Sequence, residues 1–202
     1  MLDVLIIGGG VSGVSCALVL GSAHKKAFVQ DKSISIVTHQ KASSLQDAIF
    51  YNAYGIESGK LGADLLVETT QQLQQNYPHI TQIEDEKVLK VIAIENGFEI
   101  TTNKNTYSSK IVVVSIGSSN LFDIEGLQQY LEPHQKSLPE KNRIQLQNKD
   151  HFVTEGIYVT GTLAGHRSQL AIAAGSGAAV ATDILTLWNN GVETHSHDSV
   201  RK

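Results

Sequence analysis

The sequence predicts an α/β domain over residues 1–188, in which a parallel sheet carries a three-stranded antiparallel β-meander, followed by a polar tail over residues 189–202. Three observations carry this reading. An apolar run at residues 2–7 leads into Gly8-x-Gly10-x-x-Gly13, the turn between a buried strand and a helix that binds dinucleotide phosphates. A second glycine-rich segment near the other end runs from Gly156 through Gly161-Thr162 to Gly175-Ser176-Gly177. Between the two, short alternating stretches are broken by Asn96-Gly97, a strong hairpin signal.

Each element has a local reason. Residues 2–7 read as a buried parallel strand and residues 12–22 as its helix, whose N-terminus offers free N–H groups to an anion. In the turn, Gly8 permits the tight bend, Gly10 a close ligand approach, and Gly13 close helix–strand packing. Residues 34–37 are a second parallel strand, reached after a loop insertion at residues 23–32. A long helix starts at Ser58, with Leu61, Leu65, Leu66 and Leu73 at helical spacing, and ends at Tyr77-Pro78. Residues 81–84, 88–95 and 98–102 form the meander, residues 110–115 return to the parallel sheet, and residues 157–159 supply its last strand. Residues 169–187 are the closing helix, and the tail beyond is expected to fray.

Composition bounds the function. A chain of 202 residues with 41% hydrophobic and 18% charged residues suits one globular domain. A net charge of −4 gives no electrostatic reason to expect nucleic acid or an anionic membrane as partner. No uninterrupted apolar run approaches the roughly 20 residues that cross a bilayer, and Met1 leads straight into the first strand, so a cytoplasmic protein is expected. The single cysteine, Cys16, reads as a small buried residue rather than a redox nucleophile. His195-x-His197 lacks the further ligands a metal site needs, so no metal is expected.

The order of these motifs resembles the FAD-binding half of the thioredoxin reductase-like flavoproteins, among the disulfide reductases built from two dinucleotide domains. Gly8–Gly13 is similar to that family's N-terminal FAD turn. The run from Ile111 to Gly117 resembles its strand ending in Ala-Thr-Gly. Asp123-Ile124-Glu125-Gly126-Leu127 resembles its Pro-Gly-Leu stretch, and residues 157–177 its last strand, Gly-Asp turn and final helix. The resemblance spans about residues 2–187 and implies a Rossmann-like FAD-binding fold. The departures are large. Residues 128–142 stand where the family carries a nicotinamide domain, and they are too few to form one. There is no second glycine fingerprint and no Cys-x-x-Cys. Thr162 replaces the acid of the Gly-Asp turn.

The resemblance implies a site for FAD. Gly8, Gly10, Val11, Ser12 and Gly13 would hold its pyrophosphate, and Thr38 and His39 would lie at the adenosine ribose. Gly117 would lie where the crossing strand nears the cofactor. Gly161 and Thr162 would face the ribityl or phosphate oxygens, and Gln169 and Leu170 would direct backbone N–H groups at the flavin's pyrimidine edge. Tyr54 either stacks on the isoalloxazine or is an ordinary core or surface aromatic. His166 and Arg167 either donate a proton or anchor a substrate, or are plain loop residues; no residue is assigned to catalysis. Gly175 and Gly177 suit either a close ligand or tight packing on the first helix.

The resulting expectation is a single-domain flavoprotein with oxidoreductase or electron-transfer chemistry, paired with a second copy of itself or a separate reductase. The alternatives are a non-catalytic nucleotide-binding module and a cofactor-free interaction subunit.

Overall fold

The computed structural model describes residues 1–39 and 43–196. Strand β1 (Leu2–Ile7) lies at the centre of the main sheet, with β2 (Ile34–Thr38) and β8 (Thr106–Val114) parallel to it on either side. The sheet runs β11 (Phe152–Thr154), β12 (Ile157–Val159), β8, β1, β2, β5 (Thr81–Glu84). Along this row every pairing is parallel except that of β11 with β12, an antiparallel hairpin.

Side-chain alternation along these strands separates two cores. Val4, Ile6, Ile36, Ile111 and Val113 pack under α1 (Val11–Ser22), α2 (Gly62–Asn76) and α3 (Leu170–Trp188). Leu5, Ile7, Val37, Val112 and Val114 face the opposite way, against β6 (Val88–Ile94) and β7 (Gly97–Thr102). The strands are thus buried on both faces, which explains their continuous apolar runs. A short hairpin of β9 (Leu131–Pro133) and β10 (Ile144–Leu146) carries the connection at residues 128–142 and closes the second core through Leu146.

The structure corrects several expectations. Residues 81–84 are not in the meander; they form β5, parallel to β2. The third meander strand is instead the first half of β8, which pairs antiparallel with β7 from Phe98↔Ser109 to Thr101↔Thr106. Alternation alone does not distinguish these pairings, because both leave one face half exposed. The hairpin turn is centred one residue early: Ile94 pairs with Gly97, leaving Glu95 and Asn96 as the loop, with Asn96 at φ 66°.

The helix expected from Ser58 begins at Gly62, because Lys60–Leu61 (β4) pairs with Ile49–Phe50 (β3). Leu61 is consequently exposed, whereas Leu66 and Leu73 are buried. Between Asn189 and Ser196 the tail makes hydrogen bonds within itself and to α1 and α3. Asn189 Nδ2 donates to Thr194 Oγ1 at 2.8 Å, the Thr194 N–H to Thr186 Oγ1 at 3.1 Å, and Ser22 Oγ to Ser196 Oγ at 2.9 Å. His197 lies outside the described residues. Finally, α3 is 19 residues long with a mean hydropathy of 1.6, so by length and composition it could cross a membrane. Its apolar face is used inside the fold, where Val180, Ala181, Ile184 and Leu185 are buried.

Candidate functional site

The glycine turn sits where β1, β2 and β8 end together. The Gly8 N–H donates to Val37 O at 2.9 Å and the Ser115 N–H to Ile7 O at 2.8 Å, fixing the three strand ends around the turn. Gly8 has φ +115°, and a Cβ there would lie 2.6 Å from Ser115 O. At Gly13 a Cβ would come within 1.9 Å of Gly8 O. The protein's own backbone therefore demands glycine at both positions. Gly10 is different. A Cβ there would meet nothing within 4 Å, so its smallness serves no internal packing and leaves room for what approaches from outside. Gly10 is also the N-cap of α1 with no side-chain cap, so the first-turn N–H groups of Val11, Ser12 and Gly13 face that same space.

The second glycine segment closes on the first. The 3₁₀ turn Gly161–Ala164 follows β12, and the Gly161 N–H donates to Ser176 Oγ on α3 at 2.8 Å. Gly161 has φ +67°, and a Cβ there would lie 2.9 Å from Ser12 Oγ on α1. Thr160 Oγ1 donates to Ser115 Oγ at 2.8 Å in a buried pair. A Cβ at Gly177 would sit 1.9 Å from Ser12 O, so α1 and α3 touch backbone to backbone and Gly177 is a packing residue. Gly175, two residues earlier, faces open space, as does Gly117 after β8. Sequence reading missed the buried hydroxyls of Ser115, Thr160 and Ser176 that bind these segments; their only signal was position beside the glycines.

Val11, Tyr54 and Leu170 meet at a largely apolar cleft of about 230 Å³, whose walls include Leu45, Ala53 and Ile56. Tyr54 is fully exposed at its rim. The residue is not a core aromatic, and its ring is free to cover a planar ligand. Gln169 is the exposed N-cap of α3, again without a side-chain cap. Thr162 is partly buried within the 3₁₀ turn. Thr38 is less available than expected: it is buried, and its hydroxyl points to Ile83 O at 3.4 Å across the β2–β5 pairing. The adjacent His39 is exposed and is the freer side chain at that strand end.

His166 is turned toward the β11–β12 hairpin, with its ring 5.0 Å from that of His151. Burial, and then the neighbouring His151, Lys136 and His134, hold its pKa below the ordinary histidine value. It is a neutral donor–acceptor at neutral pH. Cys16 is fully buried on α1, and burial pushes its thiol pKa well up, so thiolate chemistry is closed to it. Among the described residues no group of three or more His, Cys, Asp or Glu could hold a metal ion.

An uncapped helix N-terminus, an open glycine and a second uncapped helix beside an apolar cleft fit the phosphates and the ring system of a flavin dinucleotide. The comparisons with known proteins agree. The family described as pyridine nucleotide-disulphide oxidoreductase matches residues 2–178. No curated protein matches the sequence. Among solved structures, an atypical thioredoxin reductase from Desulfovibrio vulgaris Hildenborough superposes with TM-score 0.69 at 13% identity, covering 96% of this chain and 100% of that one. A GidA-related protein from Thermus thermophilus gives TM-score 0.67 at 14% identity, over 92% and 99% of the two chains. A ferredoxin-flavin thioredoxin reductase from Clostridium acetobutylicum gives 0.66 at 16%, over 93% and 98%. These likenesses share the fold, and the family match extends over most of the chain. The protein belongs to the pyridine nucleotide-disulphide oxidoreductase family, as an FAD-binding domain of that family.

Proposed function

We propose that this protein is a cytoplasmic FAD-dependent oxidoreductase or electron-transfer protein that receives or passes on its electrons through a separate partner. The observation that carries the reading is Gly10. It is the one fingerprint glycine that the protein's own packing does not require, and it opens onto uncapped N–H groups. FAD would supply hydride or single-electron chemistry when bound. The chain's own residues bind and orient it. Val11, Ser12 and Gly13 N–H groups hold the pyrophosphate, His39 lies at the ribose, and the α3 N-terminus at Gln169 and Leu170 favours negative charge on the flavin. Tyr54 covers the ring from the cleft rim.

Cys16 is buried and is the only cysteine, so a dithiol relay inside the chain is absent. Electrons must then arrive from outside, by nicotinamide docking at the flavin or from a protein donor. The Clostridium relative is named for ferredoxin, which makes a protein donor a concrete candidate. Exposed Ile49, Tyr51, Tyr54, Leu61 and Ile172 around the cleft support a face that a second copy or a reductase covers. The test is anaerobic titration of the FAD-loaded protein with NADH, NADPH and reduced ferredoxin. The reading expects one of them to bleach the flavin absorbance at a saturable rate. Bleaching by dithionite alone would overturn the oxidoreductase reading and leave a binding module.

A further inference from the structure

A second cleft, of about 380 Å³, lies at the other end of the same layers, beside the C-terminal end of α1 and the first residue of β2. Its lining is His24, Lys25, Val29, Gln30, Lys32, Ile34 and His79. The glycine turn occupies the opposite, C-terminal ends of β1 and β2, so the two sites share no residue. Most of the wall comes from the segment between α1 and β2. That segment makes the run from the glycine turn to the end of β2 longer than the usual spacing of roughly 20 residues, so the dinucleotide turn does not need it.

The chemistry of the lining is one-sided. Val29 and Ile34 are buried and form an apolar floor. Around them stand two lysines, two histidines and a glutamine, with no carboxylate in the lining. Lys32 is held in place: its Nζ is 5.4 Å from the Trp188 ring centroid and 3.6 Å from Asp3 Oδ1, a carboxylate oxygen that also takes Lys110 at 3.0 Å. The rings of His24 and His79 stack at 4.8 Å, and His24 Nδ1 lies 3.1 Å from Gly21 O at the end of α1. His79 is further set by an edge contact with Tyr77 at 6.1 Å. The volume falls within the range of small-molecule sites, roughly 300–1,000 Å³. Lysine and histidine act as point donors, which suit a tetrahedral phosphoryl group; the planar arginine fork that matches a carboxylate is missing.

We propose that this cleft is a second ligand site, taking a phosphate monoester with a small apolar body. The phosphoryl group lies among Lys25, Lys32, His24 and His79, and the apolar body rests on Val29 and Ile34. The inference does not depend on the flavin reading, because the site lies at the far end of the sheet.

The test uses FAD-loaded protein, with the glycine turn filled, and phenyl phosphate as probe, read by calorimetry and by histidine ring resonances. Saturable one-to-one binding that shifts the His24 and His79 resonances is expected, with phenol showing no binding and inorganic phosphate binding more weakly. Lys25→Ala and His79→Gln change exposed residues, and each should weaken binding about tenfold through loss of one charge-assisted contact, with FAD content unchanged. Unsaturable binding, or wild-type affinity in both variants, would show only a diffuse basic surface and overturn the proposal. Benzoate binding as tightly as phenyl phosphate would overturn the phosphoryl assignment.

Discussion

Gly10 and Gly177 separate two roles that glycine plays in one site. A Cβ at Gly177 meets Ser12 O at 1.9 Å, so Gly177→Ala forces α1 and α3 apart. It should lower stability by about 1–3 kcal/mol, the usual cost of overpacking, measured by urea unfolding of the protein without cofactor. Gly10→Ala meets no protein atom and should shift the same unfolding curve by less than about 1 kcal/mol, while weakening FAD binding. Cys16 gives a third residue-scale prediction. It touches only core, so Cys16→Ala should retain FAD and all redox turnover; loss of turnover with FAD still bound would refute a purely structural cysteine. The fingerprint glycines were legible in the sequence because their spacing encodes backbone geometry. The fate of the Thr38 hydroxyl was not, since it depends on β5 lying beside β2, a pairing 45 residues away.

At the scale of elements, the meander is tied at its base by Glu86. Its carboxylate accepts from Thr102 Oγ1, Asn105 Nδ2 and Tyr107 Oη, linking the entry of β6 to β7 and β8. The Thr102 hydrogen bond, with those of Asn105 and Tyr107, holds the Glu86 pKa below the usual carboxylate value. A depressed carboxylate contributes stability above its unfolded pKa of about 4.3, and that contribution is lost as pH falls through the folded value. Thr102→Val should therefore lower the urea midpoint at pH 7, and the gap from wild type should narrow once pH drops below about 4. A gap independent of pH would assign the effect to packing instead. Sequence pattern found β1, β2, β12 and the second half of β8, because buried parallel strands are apolar throughout; it missed β11, three residues at the sheet edge that are exposed or only partly buried. It misplaced the meander by one strand, because β8 is antiparallel to β7 along its first half and parallel to β1 along its second. Period-two alternation carries no information on that change of partner.

At the scale of the whole molecule, two cores flank one sheet, and fully exposed Tyr54 stands at the rim of the apolar cleft, in the loop between β3 and β4, which also carry exposed Ile49 and Leu61. The connection at residues 128–142 is a short hairpin packed on the second core, so it does not cover that cleft. A second copy of the chain over this face predicts a dimer by light scattering, reverting to monomer on Ile49→Asp, an exposed β3 residue outside the cleft lining, with FAD retained. A monomer at high concentration would leave the face to a transient reductase.

The central claim is that two distant glycine segments form one FAD site, and cofactor content tests it most directly. The purified protein should be yellow and release one FAD per chain on heat denaturation, and Gly10→Val should fold to the same circular dichroism spectrum yet be colourless. A wild-type protein that is colourless and fails to take up added FAD, or a Gly10→Val variant that binds it as well as wild type, would contradict the account.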